Sequence, residues 1–291
     1  MFKQGYEIAS KFTQPLIVAY RFFNNSVESG LGTFIILNDE GWIMTAAHNL
    51  DVFFAFDQHR KEMMDYQQEI DKIKSNIQLK ESEKKLLFKS IKPNGKWVTD
   101  FMIWLGTENV SIQESHIYID HDIAFLRVDK AAVQGFTDFP KIKDPNNLKN
   151  GTSLCKLGFP FYPINATFDN NTRQFIFPPN LLPIPRFPIE GIYTRNLITG
   201  QSSDGTMDIM YIETSSPGLK GQSGGPIIDT DGNIYAVQSK NLTLPLGFTG
   251  TIEYNNKQVD EHQFINVGIG VHTYTIITLL NKHNIKHEIA P

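Results

Sequence analysis

Cysteine is nearly missing: the 291 residues contain one, Cys155. No disulfide can form within the chain, so a packed core rather than covalent bridges must hold the fold. Many secreted proteins of this size carry bridges, and their absence favours a reducing compartment. Long apolar runs are missing too; nothing approaches the 18 or so consecutive apolar residues read as a membrane-spanning helix. The opening Met-Phe-Lys-Gln-Gly-Tyr-Glu lacks a signal-peptide layout, because residues 16–20 are too short for an apolar h-region and are flanked by Pro15 and Arg21. The expectation is a cytoplasmic protein with no membrane partner, although a leader already removed would leave no trace. Charge is not one-sided: 27 Lys and Arg against 31 Asp and Glu give a net −4, with no general pull toward nucleic acid. No His, Cys and Asp cluster has metal-site spacing, so neither a metal nor another cofactor is expected.

What the chain does have is enough apolar residue, 41%, to bury a sizeable core, and a long series of short strand patterns. Residues 33–37, a turn at 38–41 and residues 42–45 read as a hairpin running into Ala46-Ala-His48. Strands follow at 97–105, 117–119, 123–128, 153–157, 208–213, 227–228, 234–238 and 266–272, as in a barrel or sandwich. Residues 57–92 interrupt this pattern. Met63, Tyr66, Ile70, Ile73 and Ile77 recur at helical spacing, the stripe then shifts to Leu86, Leu87 and Phe88, and the segment reads as a charged helix-turn-helix insertion. It is either a solvated element packed on its parent domain, the favoured reading, or a docking, oligomerisation or gating device. Between residues 158 and 190, seven prolines alternate with six phenylalanines, which excludes regular structure throughout and suggests an apolar loop over the second half of the molecule. Residues 274–284 read as a closing helix.

Three short motifs carry chemistry. In Gly221-Gln-Ser-Gly-Gly-Pro226, glycines let the chain turn tightly around an exposed hydroxyl and aim backbone N–H groups at a developing oxyanion. Thr45-Ala-Ala-His48 sets an imidazole at the end of a packed strand. Asp122-Ile-Ala-Phe-Leu126 sets a carboxylate at the mouth of another, where it could accept the histidine Nδ1–H. The first is the sharpest signal; the other two are ordinary alone, but the order His, Asp, Ser, each in its own strand context, is not.

With these residues the chain resembles the chymotrypsin-like, trypsin-fold serine peptidases. It is most similar to their disulfide-free bacterial branch, the HtrA-type and glutamyl-endopeptidase-like enzymes, through Gly32-Thr-Phe-Ile-Ile36, Leu157-Gly-Phe-Pro160, Asp231-Gly-Asn-Ile234 and Gly268-Ile-Gly-Val271. The resemblance implies an all-β fold of two antiparallel six-stranded β-barrels packed with the active site in the cleft, plus a helical insertion and a C-terminal helix. Residues 1–145 would form the lobe carrying His48 and Asp122, and residues 146–291 the lobe carrying Ser223. It further implies catalysis by His48, Asp122 and Ser223, with an oxyanion hole made by the N–H groups of Gly221 and Ser223. The 74 residues from His48 to Asp122 are long for this fold, and the insertion accounts for the excess. Asp120 and His121 are expected as solvent-side neighbours.

The resemblance places the P1 pocket between residues 214–220 and the strand carrying Gln238, Ser239, Lys240 and Asn241. Thr214, Gln238, Ser239, Lys240 and His272 are therefore the expected substrate-binding residues. Lys240 and His272 with Thr214 would suit an acidic P1 residue; a small or apolar P1 is the preferred expectation. Gln222 stands where zymogens of this type have an aspartate, which argues against activation by N-terminal cleavage and would leave the preceding loop free to flip. With no PDZ sequence after the protease pattern, substrate capture is expected to fall to the insertion, the loops or a partner. The implied function is a serine endopeptidase acting on a protein or peptide substrate and regulated by a partner or ligand, with the 57–92 insertion as the expected site for a regulatory protein. A catalytically restrained binding or scaffold protein is the competing reading. Cys155, before Leu157-Gly158, reads as a buried core thiol.

Overall fold

The structure is a computed structural model that describes residues 1–106, 110–254 and 257–291. It opens on a helix absent from the sequence reading, Lys3–Phe12 (α1), which buries Ala9 and Phe12 and lays Gly5 on the turn at Asp229 and Thr230. A Cβ on Gly5 would stand 2.7 Å from the Asp229 carbonyl, so only glycine permits this approach.

Thr13–Phe22 (β1), Val27–Ile36 (β2), Trp42–Thr45 (β3), Val98–Leu105 (β4), Ile112–Tyr118 (β5) and Ile123–Val128 (β6) form an antiparallel sheet ordered β4-β1-β2-β3-β6-β5. β2 pairs with β1 along most of its length, from Thr13↔Ile35 to Arg21↔Val27, but with β3 only through Phe34, Ile35 and Ile36. This leaves one edge of β2 unpaired before Thr33. β6 is nearly continuously apolar because both its faces are covered, and Ile123, Ala124 and Phe125 are fully buried.

A short helix, Lys130–Val133 (α4 in chain order, after the two insertion helices Asp51–Ser75, α2, and Glu81–Ser90, α3), leads to the second lobe. There Ser153–Gly158 (β8), Phe187–Gln201 (β11), Asp208–Thr214 (β12), Pro226–Ile228 (β13), Ile234–Tyr254 (β14) and Lys257–His272 (β15) are the six core strands. β13 pairs with both β8 and β14, which closes the ring. Two short strands, Lys141–Lys143 (β7) and Glu288–Ala290 (β16), add parallel to its outside. The Pro- and Phe-rich segment contains a small hairpin, Thr167–Asp169 (β9) with Gln174–Ile176 (β10), and its Phe159, Ile164, Leu181 and Ile184 pack on Ile17 of β1. The apolar loop thus covers the first lobe as well as the second. Thr273–Lys282 (α5) closes the fold with Ile276, Leu279 and Leu280 buried.

The insertion is a pair of helices, Asp51–Ser75 (α2) and Glu81–Ser90 (α3). It begins at Asp51 rather than near 57, only three residues past His48. Val52, Phe53 and Phe56 dictate this early start by packing on β4: Val52 is buried beside Val98, and the Phe53 and Phe56 rings each lie 5.0 Å from Phe101. Further along, Tyr66 meets Trp97 at 5.6 Å and Ile73 is buried. Beyond it the apolar stripe is unpartnered, with Ile77 96% and Leu86 69% exposed. Among the described residues, no helix is long and apolar enough to cross a membrane.

Candidate active site

β3 ends at Thr45, and the chain turns through a single 3-10 turn, Ala47–Leu50, which carries His48 to the junction of the lobes. Asp122 sits in the tight connection between β5 and β6 at φ +52°, a left-handed conformation that aspartate tolerates better than most residues. Its carboxylate takes the His48 Nδ1–H at 2.9 Å, the His48 backbone N–H at 3.0 Å and the Ser239 hydroxyl. Burial pushes the Asp122 carboxyl up, but the His48 hydrogen bond and charge, with the Ser239 bond, outweigh it and hold the group below the usual carboxylate range. The reciprocal bond lifts His48 above its ordinary value, against the opposing effect of burial. Asp51, the first residue of α2, adds a second negative charge to that side of His48.

Ser223 is held by contacts that cross between the lobes. The Thr33 N–H and the Asn49 side chain both donate to the Ser223 carbonyl at 2.9 Å, and the Thr33 hydroxyl donates to the Gly221 carbonyl at 2.7 Å. Gly221 and Gly224 take φ +102° and +84°, and a Cβ on Gly224 would fall 2.2 Å from the Thr33 carbonyl. Among the described residues, neither the Gly221 nor the Ser223 backbone N–H donates a hydrogen bond, so both are free for an oxyanion. The Ser223 hydroxyl donates to the Ser239 carbonyl at 3.4 Å, and no hydrogen bond joins it to the His48 ring. Such bonds are often long before substrate arrives. Gln222 is fully buried; its amide accepts the Leu219 N–H at 2.9 Å and donates to the Phe187 carbonyl at 3.1 Å. The loop is therefore tied at both ends of this side chain, contrary to the expectation that Gln222 would free it to flip.

The expected substrate-binding residues divide. Thr214 is buried and bonds the carbonyls of Ser216 and Gly268. Gln238 is buried against Gly218, where a Cβ would come 2.2 Å from its Nε2. Ser239 turns its hydroxyl to Asp122. Lys240 is exposed, its ammonium 4.5 Å above the Tyr211 ring. His272 is occupied elsewhere: its Nδ1 accepts the Tyr274 N–H and caps α5, and burial pulls its pKa down to about 4, so the ring is neutral. His121 is buried at 3% exposure rather than solvent-side, whereas Asp120 is exposed.

Three contributions went unread in the sequence, although the sequence reading places Asn241 on the strand bordering the P1 pocket. Asn241 makes a two-way bridge with Gly218, accepting its N–H at 2.6 Å and donating to its carbonyl at 2.7 Å. Lys156, on β8, runs beneath Gly268 with 1% exposure, and its Nζ bonds the Ser216 carbonyl and hydroxyl at 2.6 and 2.7 Å. Burial brings its pKa down to about 7. Asn49 is the third, visible only as a polar residue one step past His48. Cys155 is buried as expected, and burial pushes its thiol up to about 11, far from nucleophilic.

Two β-lobes with a glycine-flanked serine and a carboxylate-bound histidine at their junction define the class of two-barrel serine peptidases. The trypsin-like peptidase domain family matches residues 30–237, and the chain belongs to that family. No curated protein matches it. Among solved structures, a variant of the HtrA-type protease AlgW with a decapeptide superposes with a TM-score of 0.51 at 11% identity, covering 98% of this chain and 68% of that one. The HtrA-type protease AlgW with a tripeptide gives 0.48 at 13% identity, covering 98% of this chain and 64% of that one. At 11% identity the likeness to the first is one of fold alone.

Proposed function

We propose that the chain is a serine endopeptidase in which Ser223 attacks the scissile carbonyl, His48 takes and returns the proton, and Asp122 holds the imidazole. The observation that carries this reading is the Asp122 carboxylate, which engages both N–H groups of His48 from one lobe and the Ser239 hydroxyl from the other. With Nδ1 committed as donor, Nε2 is the basic nitrogen. The free N–H groups of Gly221 and Ser223 would stabilise the tetrahedral oxyanion. The intermediate then collapses to an acyl-enzyme that water hydrolyses with His48 as base.

A peptide substrate is supported by the decapeptide in the structure of the AlgW variant. The P1 pocket, read between residues 214–220 and 238–241, is spanned by the Asn241–Gly218 bridge and packed by Gln238, which favours a small P1 residue over an acidic one. Regulation by a protein docking on the insertion is supported by Ile77 and Leu86, apolar and uncovered, on an element that starts beside His48. The lone buried Cys155 is consistent with a cytoplasmic location.

A second reading, a protease-fold binding protein held closed, draws on the Ser223 hydroxyl bonding Ser239 instead of His48. A fluorophosphonate probe separates the two. Labelling of the unaltered chain, abolished in Ser223→Ala and in His48→Ala, is expected for the peptidase; no labelling of the unaltered chain would favour the closed protein.

A further inference from the structure

The Pro- and Phe-rich segment carries more aromatic rings than its packing on β1 uses. Phe159 is buried against Ile17, but Phe168, Phe175 and Phe177 are only half-buried. These three line a cavity of about 610 Å³ between the β9–β10 hairpin, β4 and α2, and Phe56, Phe101 and Trp104, also half-buried, form its other walls. The volume falls within the roughly 300–1,000 Å³ of ordinary ligand pockets. None of His48, Asp122 and Ser223 lines it. It runs along β4 from Thr99 to Trp104, a span of about 17 Å at the rise of a strand. Six rings that face open space are apolar surface without a partner, and a long apolar ligand would cover them.

Charge is confined to the Thr99 end. Asp100 and Arg173 are the charged residues among those that line the cavity. The Asp100 carboxylate, 13% exposed, accepts from Arg21 Nη1 at 3.1 Å and also from Arg173 Nη2. Two guanidinium groups against one carboxylate leave a net positive charge. Arg21 is engaged on every side: its other terminal nitrogen donates to Asn25, and its guanidinium lies 4.8 Å from the Phe168 ring centre. Arg173 is 72% exposed and, among the described residues, bonds only Asp100, so its remaining N–H groups are open to an anion. We propose that this cavity binds an amphipathic carboxylate, a fatty acid of medium chain length, with its carboxylate on Arg173 and its hydrocarbon chain along β4 between the aromatic walls. An amphipathic cation would meet the uncompensated positive charge, and a small polar anion would leave the rings uncovered. Both interruptions of the strand pattern contribute to the site, the insertion through Phe56 and the Pro- and Phe-rich segment through three rings and Arg173.

The site is independent of the peptidase reading, and its test needs no turnover. Titration calorimetry with dodecanoate, below its micellar concentration, should show one site per chain, with dodecyltrimethylammonium bound at least tenfold more weakly. Arg173→Glu changes an exposed turn residue and should weaken dodecanoate at least tenfold without weakening the cationic amphiphile. Phe175→Ala, which removes part of the wall, should weaken both. The position of the chain is read with ω-bromododecanoate, whose bromine quenches an indole that it touches. With the carboxylate at the Thr99 end, the bromine reaches Trp104, whereas Trp42 and Trp97 are buried. The quenching should therefore disappear in Trp104→Phe and be unchanged in Ser223→Ala. Equal affinity for the two amphiphiles, a dodecanoate affinity indifferent to Arg173→Glu, or quenching that survives in Trp104→Phe would overturn the proposal. Failure of the fluorophosphonate labelling would count against the peptidase and leave this site standing.

Discussion

The Gly221–Gly225 turn and the α2–α3 insertion border the same cleft, yet their side chains are held in opposite ways. In the turn, every position is fixed from several sides: Gln222 is fully buried, Gly224 has no room for a methyl group, and Thr33 and Asn49 tie the backbone to the other lobe. In the insertion, one face of α2 is packed from Val52 to Ile73, and most of α3 beyond it is exposed. The difference teaches where each kind of selection operates. Geometry needed for charge stabilisation in the transition state sits in the most constrained segment, where preorganisation costs nothing at the moment of reaction. Surface free to change sits on an added element anchored by a few aromatic contacts.

The sharpest test of this contrast is at the carboxylate that joins the two lobes. Asp122→Asn keeps the size of the side chain but removes the charge and the acceptor for the His48 Nδ1–H. A loss of about 10⁴-fold in kcat is expected, the order this substitution gives in the Ser-His-Asp template. The pH dependence carries a second sign. In the proposed mechanism His48 acts as base when deprotonated, and Asp122 raises its pKa, so kcat/KM of the unaltered chain should rise through a midpoint above 6.5. In Asp122→Asn that midpoint should move down. A pH profile unchanged by the substitution would mean that Asp122 does not govern His48.

Legibility follows the same contrast. Gly221-Gln-Ser-Gly-Gly-Pro226 was readable because a turn so constrained tolerates few residue types, and the chemistry dictates those that remain. Asp122 was readable over Asp120 because an apolar strand follows it directly. The Asn241 bridge, Lys156 and the Asn49 tether were not, since each is a long-range pairing, and nothing local distinguishes a polar residue that reaches across a lobe from one that meets water. His272 was misread for the complementary reason: its place at a strand end suggested the pocket, but the following helix needed a cap. The start of α2 was also missed, because Val52, Phe53 and Phe56 look like strand residues until β4 is placed against them.

Lys156 tests how tightly the floor beneath the Ser223 segment is built. An unfolded lysine binds its proton below about 10.5, and this buried one only below about 7. Between those values the unfolded chain holds more protons, so stability should rise as pH increases from 7 toward 10, and below 7 the full penalty is in place. Lys156→Met keeps the stem that fills the space under Gly268, loses the bonds to Ser216 and removes the penalty. The variant should be more stable by about 2–3 kcal/mol at pH 7, and the gain should shrink by about 2 kcal/mol by pH 9. Urea melts at the two pH values measure both. A variant less stable at pH 7 would show that the Nζ–Ser216 bonds outweigh desolvation.

The smallest expected effect is the most direct probe of the comparison. Leu86→Gln replaces a side chain that is 69% exposed on α3, where glutamine is as good a helix former as leucine. Nothing buried is lost and no cavity forms, so thermal stability should stay within about 0.5 kcal/mol of the unaltered chain. The contrasting substitution on the same insertion, Tyr66→Ala, removes the ring packed on Trp97 and should cost more, about 1–2 kcal/mol, because it loosens the hold on β4. If Leu86→Gln proved the costlier of the two, the outer half of the insertion would be packed in solution rather than free. The division between a fixed catalytic turn and an exposed helical arm would then fail at the arm.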